Sequence, residues 1–195
     1  MIVLGVTGSV GTGKSTVSKM FEKLGAVRIS ADALAHEAIE KGKAPYRRVV
    51  RSFGKVILDR DGSIRRRELA KIVFQNPKKL KTLNSLIHPY VIGRIREKIR
   101  RLRKRKGVVV VEIPLLHEAG LEKMFDQVVT VSCRPEAQKK RWRKNGREIG
   151  ELKRRSSAQL PLSYKIKQSD FIIDNSGQVQ ATKRQVIALW RAMHR

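Results

Sequence analysis

Short apolar runs alternate with longer amphipathic stretches along the whole chain. The strand candidates cover residues 2–6, 27–30, 108–113, 127–132 and 171–173. Their length is that of buried strands, whereas the stretches between them have helical spacing. Strands that alternate with helices in this way are typical of α/β proteins. The pattern therefore predicts a parallel sheet flanked by helices.

Local signals mark where the predicted helices begin and end. Gly25 ends the first helix, and Asp32 begins the next one directly after the short strand 27–30. Asp61-Gly62 predicts a turn. Asn76-Pro77 and His88-Pro89 each predict the start of a further helix, because proline is favoured in the first helical turn.

The interval between the second and third strands is mostly helical. Within it, residues 92–102 place four apolar side chains on one helical face and arginines and lysines on the other: Ile92, Ile95, Ile99 and Leu102. We therefore predict one domain with a core formed by 1–32 and 107–195 and a helical insertion over 33–106. An acceptor molecule could bind to this insertion.

A glycine-rich segment follows the first predicted strand and precedes the first helix. Residues 8–15, Gly-Ser-Val-Gly-Thr-Gly-Lys-Ser, match the pattern G-x-x-x-x-G-K-[ST] at every position. Glycines let backbone N–H groups converge on a phosphate, and the following helix presents its positive end. Lys14 is then expected at the β- and γ-phosphates and the Ser15 hydroxyl at Mg²⁺. A simple turn between strand and helix is the alternative interpretation.

The charge of the chain is strongly positive. Its 195 residues include 44 Lys and Arg against 17 Asp and Glu, a formal net charge of +27. Such a balance raises the possibility of nucleic-acid binding. However, only 5% of the residues are aromatic, and no recognised nucleic-acid motif interleaves stacking residues with the basic runs. We expect no specific nucleic-acid partner, and keep an RNA-binding phosphate-loop NTPase as an alternative.

Basic residues are densest over 139–155. The segment follows the fourth predicted strand and contains Lys139, Lys140, Arg141, Arg143, Lys144, Arg147, Lys153, Arg154 and Arg155. An arginine-rich helical hairpin at this place predicts a lid, over about 139–160, that closes on the phosphates and excludes water. A solvated basic face is the alternative for most of these side chains.

Composition bounds the remaining possibilities. A 41% hydrophobic content is enough for a real core. Cys133 cannot form an internal disulfide and is expected to be a small buried hydrophobe in a reducing compartment. The apolar runs are too short for a signal peptide or a membrane span. These features predict a soluble cytoplasmic protein without a membrane partner, and they leave its oligomeric state open.

Six segments resemble the dephospho-CoA kinase family, enzymes that phosphorylate the ribose 3′-hydroxyl of dephospho-CoA. They are residues 7–16, 31–36, 58–66, 83–89, 113–118 and 170–177. The phosphate loop is shared by many kinases. The His-Pro, Pro-Leu-Leu and Ile-Asp-Asn-Ser-Gly sequences, in this order, are far more discriminating.

The resemblance implies a P-loop kinase fold of the nucleoside-monophosphate-kinase type, with a five-stranded parallel sheet, a helical CoA-binding insertion and a lid. It implies ATP and Mg²⁺ as cofactors and dephospho-CoA as the substrate. Other small-molecule kinases of this fold, of the nucleoside monophosphate or shikimate type, remain alternatives.

The resemblance also implies roles for individual residues. Lys14 and Asp32 are the expected catalytic residues, with Asp32 accepting or orienting the proton of the reacting hydroxyl; a helix cap is the alternative for Asp32. The expected cofactor-binding residues are Gly8, Gly11, Thr12, Gly13, Lys14, Ser15, Thr16, Arg141 and Asn175, with Ser15 as the metal ligand. The expected substrate-binding residues are Asp32, Arg66, His88, Pro114 and Leu115. Glu112 is equally consistent with a structural role and with the Mg²⁺–water shell.

The chain departs from the family pattern at several positions. Ser30 replaces the first acid of the usual Asp-Ala-Asp sequence, which leaves Asp32 alone beside the reacting hydroxyl. In the phosphate loop, Ser9 and Thr12 stand where Gly and Ser are commoner. In the lid, Asn145 stands where the family tends to carry a second arginine, and Lys144 or Arg147 could take over its phosphate contact.

Overall fold

The computed structural model describes residues 1–194 and contains one five-stranded sheet. Its strands are β1 (Ile2–Thr7), β2 (Val27–Ser30), β3 (Val108–Glu112), β4 (Gln127–Ser132) and β5 (Phe171–Asp174). The strand order is β2-β3-β1-β4-β5, and every neighbouring pair is parallel. The structure confirms the predicted fold class and places each strand end within one residue of its predicted position.

Helices follow the strands and cover most of the remaining chain. They are α1 (Lys14–Lys23), α2 (Ala31–Ala38), α3 (Ala44–Phe53), α4 (Arg66–Phe74), α5 (Pro77–Leu102), α6 (Pro135–Lys144), α7 (Ile149–Ser157), α8 (Leu162–Lys167) and α9 (Val179–Ala192). Short 3₁₀ turns form at Lys55–Ile57 and Glu122–Met124. None of the helices within residues 1–194 has both the length and the apolar character of a membrane span.

Most local signals are confirmed. Gly25, at φ +107°, lies two residues after the end of α1, and its N–H donates to the Glu22 carbonyl oxygen. Asn76 caps α5, since its side-chain oxygen accepts the Lys79 N–H at 3.1 Å. Asp61 closes the predicted turn, because its carboxylate accepts the Ser63 N–H at 2.8 Å.

The prediction that His88-Pro89 begins a new helix is wrong. Instead, α5 runs through Pro89 without a break. A proline inside a helix removes one backbone hydrogen bond and costs about 3 kcal/mol. Apolar side chains at helical spacing offset this cost, because Leu83, Val91 and Ile95 are buried along one side of the helix.

The chain divides into two compact units, each with its own core. The first contains Met1–Ser30 and the chain from Arg101 onward, and the second contains Ala31–Arg100. The first core lies on one face of the sheet, against α1 and α9, and its members include Leu4, Phe21, Val110 and Val186. The second core lies among α3, α4 and the N-terminal part of α5, and includes Val49, Leu69 and Leu83.

Candidate active site

The phosphate loop follows β1, the central strand of the sheet. Because β3 lies on one side of β1 and β4 on the other, the loop occupies the position where parallel sheets form their ligand crevice. A Cβ atom at Gly8 would lie only 2.3 Å from the Val131 carbonyl oxygen. Only glycine lets the loop pass this close to β4.

Lys14 is buried and begins α1. Its ammonium group donates to the carbonyl oxygens of Gly8 (3.0 Å) and Ser9 (2.9 Å), so the side chain folds back across the loop. Gly13, in a left-handed conformation, precedes the helix and provides no side-chain cap. A cation and the first amides of a helix therefore share one concavity, which suits a phosphate.

The other predicted loop residues stabilise the turn or lie at its surface. The Thr12 side chain is buried, and its hydroxyl donates to the Ser9 carbonyl oxygen at 2.9 Å. Thr16 is exposed in the first turn of α1, and its N–H donates to the Gly13 carbonyl oxygen. Gly11 packs against α6, since a Cβ there would lie 3.5 Å from the Trp142 ring.

Glu112, the last residue of β3, joins the phosphate loop to β2. One carboxylate oxygen accepts the Ser15 hydroxyl at 2.5 Å, and the other accepts the Arg28 guanidinium at 2.7 Å. A hydroxyl beside a carboxylate is an oxygen donor set of the kind that Mg²⁺ uses together with phosphates. Within residues 1–194, no three His, Cys, Asp or Glu side chains form a metal cluster. The Ser15 hydroxyl and the Glu112 carboxylate fit a magnesium ion that also binds phosphate oxygens.

Asn175 is buried directly behind the phosphate loop. Its side-chain amide donates to the Thr12 carbonyl oxygen at 2.8 Å, and its oxygen accepts the Thr182 hydroxyl at 2.9 Å. The Asn175 N–H also donates to the Ser132 carbonyl oxygen at 2.8 Å. These contacts tie the loop to β4 and α9.

The basic segment forms a helical hairpin of α6 and α7, as predicted. Trp142 and Leu152 are its buried anchors, and the indole N–H of Trp142 donates to the Glu148 carbonyl oxygen at 2.8 Å. The Arg147 guanidinium lies 4.7 Å from the centre of the Trp142 ring. Arg147 is one of the two residues that could take over the phosphate contact of the family arginine replaced by Asn145, and here its guanidinium makes a cation–π contact instead.

Two glutamines connect the hairpin to the tip of the phosphate loop. The Gln138 amide donates to the Val10 carbonyl oxygen, and the Gln159 side-chain oxygen accepts the Val10 N–H, at 2.5 and 3.1 Å. Arg141 lies close by, with its Nη1 atom 3.9 Å from where a Cβ of Gly13 would be. This nitrogen is buried and has no hydrogen-bond partner within residues 1–194. A guanidinium with an open donor beside the loop suits a phosphate oxygen.

The segment after β3 contains two residues expected on the acceptor side. The Pro114 carbonyl oxygen accepts the Thr7 hydroxyl at 3.3 Å and the Lys165 ammonium at 2.7 Å. Leu115 follows it and is half-buried. The Pro114 backbone is thus tied to β1 immediately before the phosphate loop.

The other expected acceptor residues belong to the second unit. Asp32 is exposed in the first turn of α2, one residue after the helix begins, and Arg66 is exposed at the start of α4. His88 is half-buried within α5, and burial lowers the pKa of its imidazole. The neutral ring is therefore favoured, which suits hydrogen bonding or packing rather than a fixed positive charge.

Comparison with known proteins identifies the family. A model of the family described as dephospho-CoA kinase matches residues 2–181. The chain belongs to the dephospho-CoA kinase family. It is 41% identical to a dephospho-CoA kinase of Carboxydothermus hydrogenoformans over 190 residues, which cover 96% of this chain and 92% of that one. It is 38% identical to the Aquifex aeolicus dephospho-CoA kinase over 192 residues, or 98% and 97% of the two chains.

Solved structures agree with this placement. A dephospho-CoA kinase from Campylobacter jejuni has a TM-score of 0.72 and 26% sequence identity, covering 98% of this chain and 96% of that one. A shikimate kinase from Acinetobacter baumannii has a TM-score of 0.56 at 13% identity, covering 100% and 93%. The second likeness shows the shared P-loop kinase fold and nothing further.

Sequence reasoning missed several residues that shape this candidate site. Arg28 neutralises Glu112, Gln138 and Gln159 hold Val10, and Lys165 holds Pro114. No periodicity or motif marks these side chains, since their partners lie far away in sequence. The one available signal is Lys165, a lysine placed between apolar residues shortly before β5.

Proposed function

We propose that the chain transfers the γ-phosphoryl group of ATP to the ribose 3′-hydroxyl of dephospho-CoA, giving CoA and ADP, the last step of coenzyme A synthesis. The observation that carries this proposal is the family match over residues 2–181 in a chain whose phosphate loop is complete. Phosphoryl transfer depends on positioning and charge neutralisation more than on covalent chemistry. The roles below follow from that requirement.

On the donor side, the loop amides and Lys14 bind the β- and γ-phosphates. When ATP binds, the Lys14 ammonium moves from the carbonyl oxygens of Gly8 and Ser9 to phosphate oxygens. Neutral hydrogen-bond acceptors are thereby exchanged for negatively charged ones, which bind an ammonium group more strongly. Arg141 adds a second positive group beside Gly13. These cations stabilise the charge that develops on the transferring group.

Mg²⁺ supplies further neutralisation of the nucleotide when it is bound. Ser15 would hold it through its hydroxyl, and Glu112 would hold it directly or through water. Arg28 keeps the Glu112 carboxylate oriented.

On the acceptor side, the second unit is the dephospho-CoA-binding insertion predicted over 33–106. Asp32 orients or deprotonates the 3′-hydroxyl, since it follows β2 by two residues and its side chain is exposed. Arg66 binds a phosphate of the substrate, and His88, Pro114 and Leu115 bind its remaining surface. A cytoplasmic location and the absence of a specific nucleic-acid partner stay predictions.

The test is a coupled assay of ADP release with ATP and Mg²⁺, in which the acceptor is varied. Dephospho-CoA is expected to give the fastest release, with CoA as the product in mass spectrometry. AMP and shikimate are tested as alternative acceptors, and RNA is tested for stimulation of ADP release. Faster release with AMP or shikimate, or release that depends on RNA, would contradict the proposal.

A further inference from the structure

Lys165 is fully buried, which is rare for a lysine and requires strong partners. Its ammonium group donates to a Glu118 carboxylate oxygen and to the Pro114 carbonyl oxygen, both at 2.7 Å. Its own carbonyl oxygen accepts the hydroxyls of Thr130 and Ser169 at 3.2 and 2.8 Å. Lys165 is therefore fixed both at its backbone carbonyl and at its ammonium group. The ammonium group contacts both ends of the segment 114–118.

Glu118 is an incompletely paired carboxylate. Its Oε1 atom accepts both the Lys165 ammonium and the Leu160 N–H, the latter at 2.9 Å. Its Oε2 atom is buried and has no hydrogen-bond partner within residues 1–194. Burying charges costs solvation energy that such a pair does not fully recover. Stability alone is thus a poor explanation for placing this pair here, and a fixed geometry is a better one.

The pair lies on a continuous path of polar contacts. Glu118 holds Leu160, the neighbouring Gln159 holds the N–H of Val10, and Val10 belongs to the phosphate loop. At the other end of the segment 114–118, the Pro114 carbonyl oxygen accepts the hydroxyl of Thr7, which directly precedes that loop. The segment 114–118 is therefore connected to the phosphate loop at both ends. Lys165 contacts Pro114 at one end and Glu118 at the other.

We propose that the Glu118–Lys165 ion pair is a positioning device that holds the segment 114–118 in register with the phosphate loop and with the C-terminal end of the lid. Neither residue touches the reacting atoms. The proposal rests on the proposed function in one respect: Pro114 and Leu115 face dephospho-CoA. The pair then affects the acceptor more than the nucleotide, because Asn175, Thr12 and the glycines hold the phosphate loop independently.

The experiment compares the full-length wild type with three variants: Lys165→Met, the double variant Glu118→Gln with Lys165→Met, and Lys167→Met. The single variant leaves the partly buried Glu118 carboxylate without its cation and is expected to lose stability. The double variant removes both charges and keeps an oxygen that can accept the Leu160 N–H, so it is expected to fold. Lys167 is exposed on the same helix and gives the matched control.

Two readouts are measured on each protein that folds. The first is amide hydrogen exchange by mass spectrometry, in which peptides covering 114–121 and 159–162 are expected to exchange faster in the double variant than in the wild type and the control. The second is steady-state kinetics. We expect KM for dephospho-CoA to rise about tenfold, the effect of losing about 1.4 kcal/mol of binding energy, while KM for ATP changes less than about twofold.

The outcomes separate the two proposals. A wild type that is inactive toward dephospho-CoA contradicts the proposed function, and hydrogen exchange then still tests the ion pair. Unchanged exchange in both peptides overturns the positioning role, whatever the kinetics. Faster exchange with equal rises in both KM values also overturns it, because the pair would then support the fold in general.

Discussion

Gly13→Ala tests whether the phosphate loop depends on its contact with Asn175. A Cβ atom at Gly13 would lie 2.0 Å from the Asn175 side-chain nitrogen, whereas ordinary contacts between such atoms are about 3.5 Å. Asn175 cannot yield easily, because it is buried and held by Thr12 and Thr182. We therefore expect the substitution to displace the Asn175 amide and break its bond to the Thr12 carbonyl oxygen.

The magnitude follows from two contributions. Alanine in the left-handed conformation of Gly13, at φ +96°, costs about 1–2 kcal/mol. A buried carbonyl group left without its donor costs about 1–3 kcal/mol. Together they predict a loss of about 2–5 kcal/mol in the free energy of unfolding.

Urea titrations of four variants measure this loss: Gly13→Ala, Asn175→Ala, the double variant, and Gly25→Ala as the control. Gly25 has a similar φ of +107°, but a Cβ there would meet nothing within 4 Å. The control is therefore expected to lose only the backbone contribution of about 1–2 kcal/mol. The double variant should be more stable than the sum of the two single losses predicts, because Asn175→Ala removes the steric overlap.

Two results would contradict the predicted clash between the added Cβ atom and Asn175 in the Gly13→Ala variant. One is a Gly13→Ala loss no larger than that of Gly25→Ala, which would mean that the steric overlap is relieved without cost. The other is strict additivity between Gly13→Ala and Asn175→Ala, which would mean that the two residues do not interact.

Three further predictions concern chemistry and pH. Lys14→Ala is expected to lower kcat by about 10²–10³-fold with an unchanged circular dichroism spectrum, and an undiminished rate would contradict its role. Asp32→Asn should lower turnover by about 10²–10⁴-fold while ATP affinity, measured by calorimetry, stays the same; near wild-type turnover would exclude the catalytic role. Burial lowers the pKa of His88 below its ordinary 6.5, so as the pH falls through 6.5 the unfolded chain takes up this proton first and stability is lost. Urea titrations between pH 7 and pH 5 should show a smaller loss for His88→Gln than for the wild type and the exposed His36→Gln control, and parallel curves would disprove the assignment.

Features that depend on neighbouring residues could be predicted from the sequence. Each strand lies within one residue of its predicted position. The inner strands β1, β3 and β4 are buried on both faces of the parallel sheet, which requires a nearly continuous apolar sequence. The phosphate loop has its expected form, because glycine at residues 8, 11 and 13 permits backbone angles that few other residues adopt. Asn76 caps α5 through a hydrogen bond to Lys79, which is only three residues further along the chain.

Contacts between residues that are distant in sequence could be identified only from the folded structure. Proline at residue 89 is a local signal for a helix start, yet α5 continues because burial along the helix outweighs one lost hydrogen bond. Asn175 lies behind the phosphate loop, and its contact with Thr12 spans 163 positions. Gln159 contacts Val10 across 149 positions, and Lys165 contacts Pro114 across 51. Local sequence patterns do not predict such pairs, because the packing of the whole fold brings the two residues together.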